Sequence, residues 1–370
     1  MRVLITIPCL SGGGAEFVAE QWARYLVHEG DNVTVYLTHP EPADTAPDGV
    51  SLVRAQLGHF VKQARDLARH LKDNPADVVV GLMPYSNLLG IVATRLLGDN
   101  RPRVTISERT LAHAPQTGHR RSIEIKRLLA KRLYRYADLF VAVSHPVGAE
   151  SIAEYRLSPE RVLVVPNPSY AKAKTRQSRR NVQAFDANCL DIVVPARLVA
   201  VKRPLIAVDV AVLVSAALPG DVRLHFFGVG PLHDEIVSRA SQAGVDVVMH
   251  GWAHNWFDHC PAGSVVLLTS IVEGFPNVLV EAAATGLRSV AASRCFGVAD
   301  AVVPGITGEL AAGNSAEDYA AAILAMSREP VQDIEPWLER FSPENSGRIL
   351  RDALQQLVDP RTGRAECIRS

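Results

Sequence analysis

Short runs of uninterrupted apolar residues recur along most of this chain, each followed by a segment of helical length, and they limit its fold more than any other feature. The first series is Arg2–Pro8, Val33–Leu37, Val78–Met83, Val104–Ser107, Leu139–Ser144 and Val162–Pro166. Between these runs, Ala15–His28, Phe60–Lys72, Asn87–Leu97 and Ile123–Tyr136 read as helices, and Gly30 is placed to stop the first. A strand that is apolar at every position is buried on both faces, so the alternation predicts a parallel sheet covered by helices on each side. A second series repeats the order: strands at Asp191–Pro195, Arg223–Phe227, Val247–His250, Val265–Thr269 and Ser289–Ala292, with helices at Pro204–Ala217, Leu232–Ala243, Pro276–Thr285 and Ser315–Arg328. The expectation is two doubly wound α/β domains, at 1–170 and 189–343, whose strand carboxyl ends face a central cleft where such sheets hold ligands. Residues 171–188 are expected to form a linker. Residues 344–370, with an amphipathic helix at Glu344–Val358, are expected to return toward the first domain.

Lysine plus arginine and aspartate plus glutamate both number 39, so no global field draws the protein to nucleic acid, and none is expected as a partner. Cys9, Cys189, Cys260, Cys295 and Cys367 are too widely spaced for a disulfide framework or a zinc site. MRVLITIPCL runs straight into a strand and a glycine loop, without the shape of a signal peptide. The longest apolar run, Leu205–Leu218, is too short to span a bilayer. A soluble cytoplasmic protein is expected.

Glu273-Gly-Phe-Pro-Asn-Val-Leu-Val-Glu281 places two carboxylates with seven residues between them, directly after an apolar strand. Gly274 lets the loop bend, Pro276 suits a first helical turn, and Gly286 is a plausible stop. The helix would turn its free N–H groups and positive dipole end toward a ligand, which favours phosphate. Side chains tilt toward a helix amino end, so Glu281 reaches hydroxyls of a ligand docked there, while Glu273 meets a second set from the loop. Taken alone, the pair also fits a solvated loop residue and a helix-surface charge. Arg197 and Lys202 leave the end of the preceding strand and together could neutralise a diphosphate. The glycines of His225-Phe-Phe-Gly-Val-Gly-Pro-Leu232 allow close approach of backbone to a ligand. The basic stretch Pro168–Asn188, with Lys172, Lys174, Arg176, Arg179 and Arg180, reads as a linker, with a phosphate-gripping loop as the alternative.

These residues carry a resemblance. E-G-F-P-N-V-L-V-E-A, the R-L and K-R-P elements upstream and F-G-V-G-P-L between them resemble glycosyltransferase family 4, which has the GT-B fold of two Rossmann-like domains and transfers sugars with retention. Val141–Ser144, Val165–Pro168, Pro304–Gly308 and Gly12-Gly-Gly-Ala-Glu16 extend the likeness over essentially the whole chain. The resemblance implies that Glu281 binds the ribose of a nucleotide-sugar, expected to be UDP-linked, and that Glu273 orients the donor sugar. Backbone near Gly274, Phe275, Asn277, Val278 and Leu279 would meet sugar and phosphate. Arg197 and Lys202 would stabilise the leaving diphosphate, Gly13 and Gly14 would approach it from the other domain, and the base would sit near Gly251 and Trp252. No metal and no cofactor is implied; the sequence has no D-x-D, and arginine and lysine can serve the same electrostatic role. Where many relatives carry histidine near the donor sugar, this chain reads Ile106-Ser-Glu-Arg-Thr110, which makes Glu108, Arg109 and the nearby His113 candidate contacts. Arg288 replaces a usual proline, and Asp300 a frequent glutamate. With no clear protein nucleophile, front-face attack guided by the leaving phosphate is expected by analogy.

A nicotinamide dehydrogenase is disfavoured. The first loop has Phe17 where the third glycine of G-x-G-x-x-G belongs, and Leu37-Thr38-His39 offers no acid for a ribose hydroxyl. A nucleotide-sugar epimerase of this architecture and a non-catalytic sugar-binding scaffold remain as alternatives. The expected acceptor is a polysaccharide or a lipid-linked oligosaccharide. Arg120, Arg121, Lys126, Arg127, Lys131, Arg132 and Arg135, beside an apolar stripe of Ile125, Leu128, Leu129, Leu133 and Tyr136, fit either a helix packed into the core or peripheral contact at the inner face of a membrane through residues 120–135.

Overall fold

The computed structural model of the chain describes residues 1–114, 120–174, 189–261, 263–326 and 334–359. In order the elements are β1 (Arg2–Ile7), α1 (Gly14–His28), β2 (Asn32–Leu37), β3 (Ser51–Arg54), α2 (Phe60–Asp73), β4 (Val78–Leu82), α3 (Pro84–Arg95), β5 (Arg103–Glu108), α4 (Arg120–Leu133), β6 (Leu139–Ala142), α5 (His145–Tyr155), β7 (Val162–Val164), α6 (Ala171–Lys174), β8 (Cys189–Val194), α7 (Pro204–Ala217), β9 (Asp221–Phe227), α8 (His233–Ala243), β10 (Asp246–Gly251), β11 (Val265–Leu268), α9 (Asn277–Ala284), β12 (Arg288–Ala292), β13 (Gly308–Ala311), α10 (Ala316–Ala325), α11 (Glu335–Leu338) and α12 (Pro343–Val358). The chain divides into two compact units, Met1–Pro168 with the segment from Ser342 onward, and Ser169–Phe341.

The first unit is a seven-stranded parallel sheet in the order β3-β2-β1-β4-β5-β6-β7. Val18, Trp22 and Leu26 recur every four residues on α1 and bury against Ile5, Ile7, Val80 and Leu82. Burying an indole of this kind contributes about 5 kcal/mol at 25 cal/mol per Å², before ordering costs. α12 completes this layer with Leu350 and Leu354. It is bonded there as well as packed: Trp22 Nε1 donates to Ser346 Oγ (2.9 Å), Ser346 Oγ to the Pro166 carbonyl (2.6 Å), and Arg351 Nε to Asp31 (2.7 Å). Only glycine fits at 347, since a Cβ there would stand 2.3 Å from Tyr25 Cγ. On the other face Leu4, Leu67, Leu71 and Leu89 form a second cluster.

The second unit is a six-stranded parallel sheet in the order β10-β9-β8-β11-β12-β13. The order in which strands are added reverses between β8 and β11, which pair directly and in parallel at Val265↔Ile192. In doubly wound sheets, ligands sit beyond the strand carboxyl ends at such a reversal of strand order.

β3, β13 and α5 were not anticipated from the sequence. β3 and β13 are four-residue edge strands with half-buried positions, so they lack the continuous apolar signal of the inner strands. α5 is announced by Ser144, whose side chain accepts from the Val147 N–H, and by Pro146 in its first turn. The apolar stripe expected on α4 divides: Leu129 and Leu133 are half-buried, while Ile125 (58% exposed) and Leu128 (50%) stand in solvent. Among the described residues no helix is long and apolar enough to cross a membrane.

Candidate functional site

The loops after β8 and β11 of the second unit carry three of the charged residues singled out in the sequence. Lys202 follows β8 and Glu273 follows β11, and the lysine ammonium donates directly to Glu273 Oε1. Their side chains are only 19% and 12% exposed, so the pair is shielded from water and its attraction exceeds that of a surface ion pair. The loops are also clasped through backbone: the Ile271 N–H donates to the Val201 carbonyl (3.0 Å) and Thr269 Oγ1 to the Lys202 carbonyl (2.7 Å). Arg197, on the same loop as Lys202, is exposed and has no ion-pair partner among the described residues.

The glycines of F-G-V-G pack closely on a neighbouring loop. A Cβ on Gly228 would lie 2.0 Å from the Ala196 carbonyl oxygen, and one on Gly230 would lie 2.4 Å from that of Leu198. They therefore bring the β9 loop onto the loop that bears Arg197, where the Leu198 N–H donates to Val229 (3.0 Å) and the Leu232 N–H to Leu198 (3.2 Å). Gly297, which no sequence signal marked, does the same for the carboxylate loop: its Cβ would stand 2.3 Å from the Glu273 carbonyl oxygen and 2.5 Å from that of Gly274. Cys295, beside this loop, is buried, which pushes its thiol up to about 12.

α9 begins at Asn277 after Pro276, at the carboxyl end of the sheet, and ends before Gly286, whose φ of 83° is the left-handed conformation glycine accepts. Of the backbone groups expected to meet the ligand, that of Leu279 is already committed, its N–H donating to the Pro276 carbonyl (3.0 Å). Val278 opens the first turn, and Phe275 turns its ring inward onto Phe341 (centroids 5.3 Å apart). Glu281 is 3% exposed. Its Oε2 accepts from Trp256 Nε1 (2.7 Å), and its Oε1 lies 3.6 Å from Lys172 Nζ. Neither partner was anticipated: Lys172 is distant in sequence, and Trp256 lies in an irregular loop after β10. That loop starts at Gly251, with a φ of 71°, and Trp252, 66% exposed. Lys172 belongs to the segment expected to be a linker; Arg176, Arg179 and Arg180 of that segment lie outside the described residues.

In the first unit, Gly13 caps α1 without a side-chain bond and Gly14 is its first residue. The candidate contacts after β5 diverge. Glu108 turns into the fold, where Oε1 accepts from Tyr134 OH and from Asn87 Nδ2 (3.1 Å). Burial raises its carboxyl to about 7 against the opposing pull of these two bonds. Arg109 lays its guanidinium 4.5 Å over the Trp22 ring and donates Nη1 to Asn167 Oδ1 (3.3 Å), while its Nε and Nη2 are buried without a hydrogen-bond partner among the described residues. Burial lowers it to about 9. His113 is exposed and held to α5, with Nδ1 2.7 Å from Glu150 Oε1 and Nε2 3.6 Å from Glu154.

Two family profiles match the chain: Glycosyltransferase Family 4 over residues 12–168, and Glycosyl transferases group 1 over residues 190–329. The lipopolysaccharide 1,6-galactosyltransferase of Salmonella typhimurium is 28% identical over 136 residues, which are 34% of this chain and 38% of that relative's length. Among solved structures, the lipopolysaccharide outer core galactosyltransferase WaaB in its apo form superposes with a TM-score of 0.72 at 18% identity, covering 96% of this chain and 99% of its own. The Anabaena protein HepE in complex with UDP gives 0.63 at 17% identity, covering 97% of each. These solved structures share the two-sheet fold of this chain.

Proposed function

The chain belongs to glycosyltransferase family 4 and has the GT-B fold, and from that premise we propose that it transfers a hexose from a nucleoside-diphosphate donor to a saccharide hydroxyl. The observation that carries this reading is the Lys202–Glu273 pair at the strand-order reversal, with Arg197 on the lysine's loop and Glu281 inside the helix that follows. Cations for a diphosphate and carboxylates for hydroxyls lie on loops that one sheet edge holds in register. The galactosyltransferase names of two relatives and the UDP in a third support a hexose and a uridine nucleotide.

In this reading Arg197 and Lys202 take the charge that develops on the leaving diphosphate, with the amino end of α9 adding its dipole. The C1–O bond to phosphate breaks as the acceptor oxygen bonds C1 from the same face, and the acceptor's proton passes to the departing phosphate oxygen. The configuration is thereby retained. Glu273 orients the sugar, and Lys202, released from it, turns to the phosphates. The two cations do this work without a divalent ion, so activity should survive EDTA. A thermal-shift screen of nucleotide-sugars tests the proposal, since a specific donor raises the melting temperature by mass action. Stabilisation by a uridine diphosphate sugar, followed by acceptor-dependent release of UDP, supports it. Conversion of the donor without acceptor favours an epimerase, and binding without turnover favours a scaffold.

The exposed Ile125 and Leu128, with Lys131 and Arg132 exposed on the same helix, favour a second element of the proposal: α4 lies on an anionic bilayer and brings the enzyme to a lipid-linked acceptor.

A further inference from the structure

Glu281 is a buried carboxylate with an incomplete set of donors. Oε2 is satisfied by the Trp256 indole at 2.7 Å, whereas Oε1 accepts no hydrogen bond from the described residues. The cation facing Oε1, Lys172, stops at 3.6 Å, well beyond the ~2.8 Å of a charge-assisted hydrogen bond. The lysine is held in that position by its neighbours. Tyr170 is fully buried, its OH donates to Glu335 (2.8 Å) and its N–H to the Phe341 carbonyl (3.0 Å), and Ala173 is fully buried on the far side. The one-turn helix α6 is thus fixed to the second unit and carries Lys172, itself 22% exposed, to α9.

We infer that Lys172 is a donor-binding residue that reads the ribose together with Glu281. A hydroxyl oxygen about 2.7 Å from Oε1 and about 2.9 Å from the lysine nitrogen closes a triangle on their 3.6 Å separation. The hydroxyl donates to the carboxylate, giving Oε1 its donor, and accepts from the ammonium. A deoxyribose in the same place leaves the two charges apart and Oε1 without a donor, the situation that rejects analogues lacking a hydroxyl most strongly. Lys172 thereby selects ribonucleotides over deoxyribonucleotides. This inference rests on the donor-site reading given above.

Calorimetric titration of wild type and Lys172→Met with UDP and with 2′,3′-dideoxy-UDP separates the two ideas. Wild type should favour UDP at least about 10-fold. Lys172→Met should lose about 10- to 100-fold for UDP and less than about threefold for the dideoxy compound, with Lys172→Arg restoring part of the preference. Should Lys172→Met fail to fold, Lys172→Gln should show the same selective loss. Unchanged UDP affinity in a folded variant, or equal losses for both nucleotides, overturns the inference while leaving the donor site standing. A wild-type protein that binds none of UDP, GDP and ADP overturns the donor site and the inference with it.

Discussion

Replacing Gly228 by alanine tests whether the β9 loop positions Arg197, the proposed diphosphate-binding arginine. The added methyl would lie 2.0 Å from the Ala196 oxygen, and real Cβ contacts do not fall below 3.0 Å, so the loops must part by at least 1.0 Å. They are cross-braced by two backbone bonds of 3.0 and 3.2 Å through Leu198, which stretch past useful length over that distance. Overpacking of this kind costs about 1–3 kcal/mol, equivalent to a fall of roughly 3–8 °C in Tm for a unit of this size. A protein with ordinary stability stays folded at 25 °C under that loss. The functional effect is larger: Arg197 is the residue after Ala196, and a displacement near 1 Å at a charge-stabilising group costs on the order of 100-fold in kcat/KM. Turnover measured by UDP release at 25 °C, beside a thermal melt, separates the two effects. Wild-type kcat/KM in a folded Gly228→Ala protein would refute the claim that this glycine serves the arginine's loop.

Further expectations follow from the other contacts. Lys202→Met should lower kcat by at least about 100-fold, because it removes a cation that stabilises the leaving group, and should lower the melting temperature by leaving Glu273 unpaired without unfolding the protein at 25 °C; turnover and melting curves together check it. Glu108 has a folded pKa of about 7 against an ordinary 4.5, so the folded state holds the proton more tightly and its contribution is complete below about pH 4.5 and lost as pH rises to about 7. The difference is about 3 kcal/mol. Urea denaturation should therefore show Glu108→Gln gaining on wild type between pH 4.5 and 8, and a constant difference across that range would contradict the burial argument. Replacing Ile125 and Leu128 together by serine should abolish salt-sensitive flotation with anionic liposomes without reducing turnover on a water-soluble acceptor; flotation equal to wild type removes α4 from the membrane.

The inner strands were legible because burial on both faces demands apolar runs, and β4 and β11 meet that demand over their whole length. The helix bearing Glu281 was legible from Pro276 and Gly286, whose backbone preferences are local. What was hidden depends on contacts between segments far apart in the chain. Nothing near Gly297 announces the Glu273 carbonyl against which it packs, and nothing near Lys172 announces Glu281, 109 residues later. The F-G-V-G glycines were visible, but whether they approach a ligand or a neighbouring loop is set by the β8–β9 register, which the pattern does not encode. The burial of Glu108 was not legible, because its partners Asn87 and Tyr134 come from α3 and the turn after α4.

The most direct test of the central claim is a crystal structure with UDP bound. The account predicts the diphosphate against Arg197, Lys202 and the amino end of α9, the Lys202–Glu273 pair opened, and ribose hydroxyls on Glu281 Oε1. A nucleotide seated elsewhere, or seated here with that pair intact and Glu281 untouched, would contradict it.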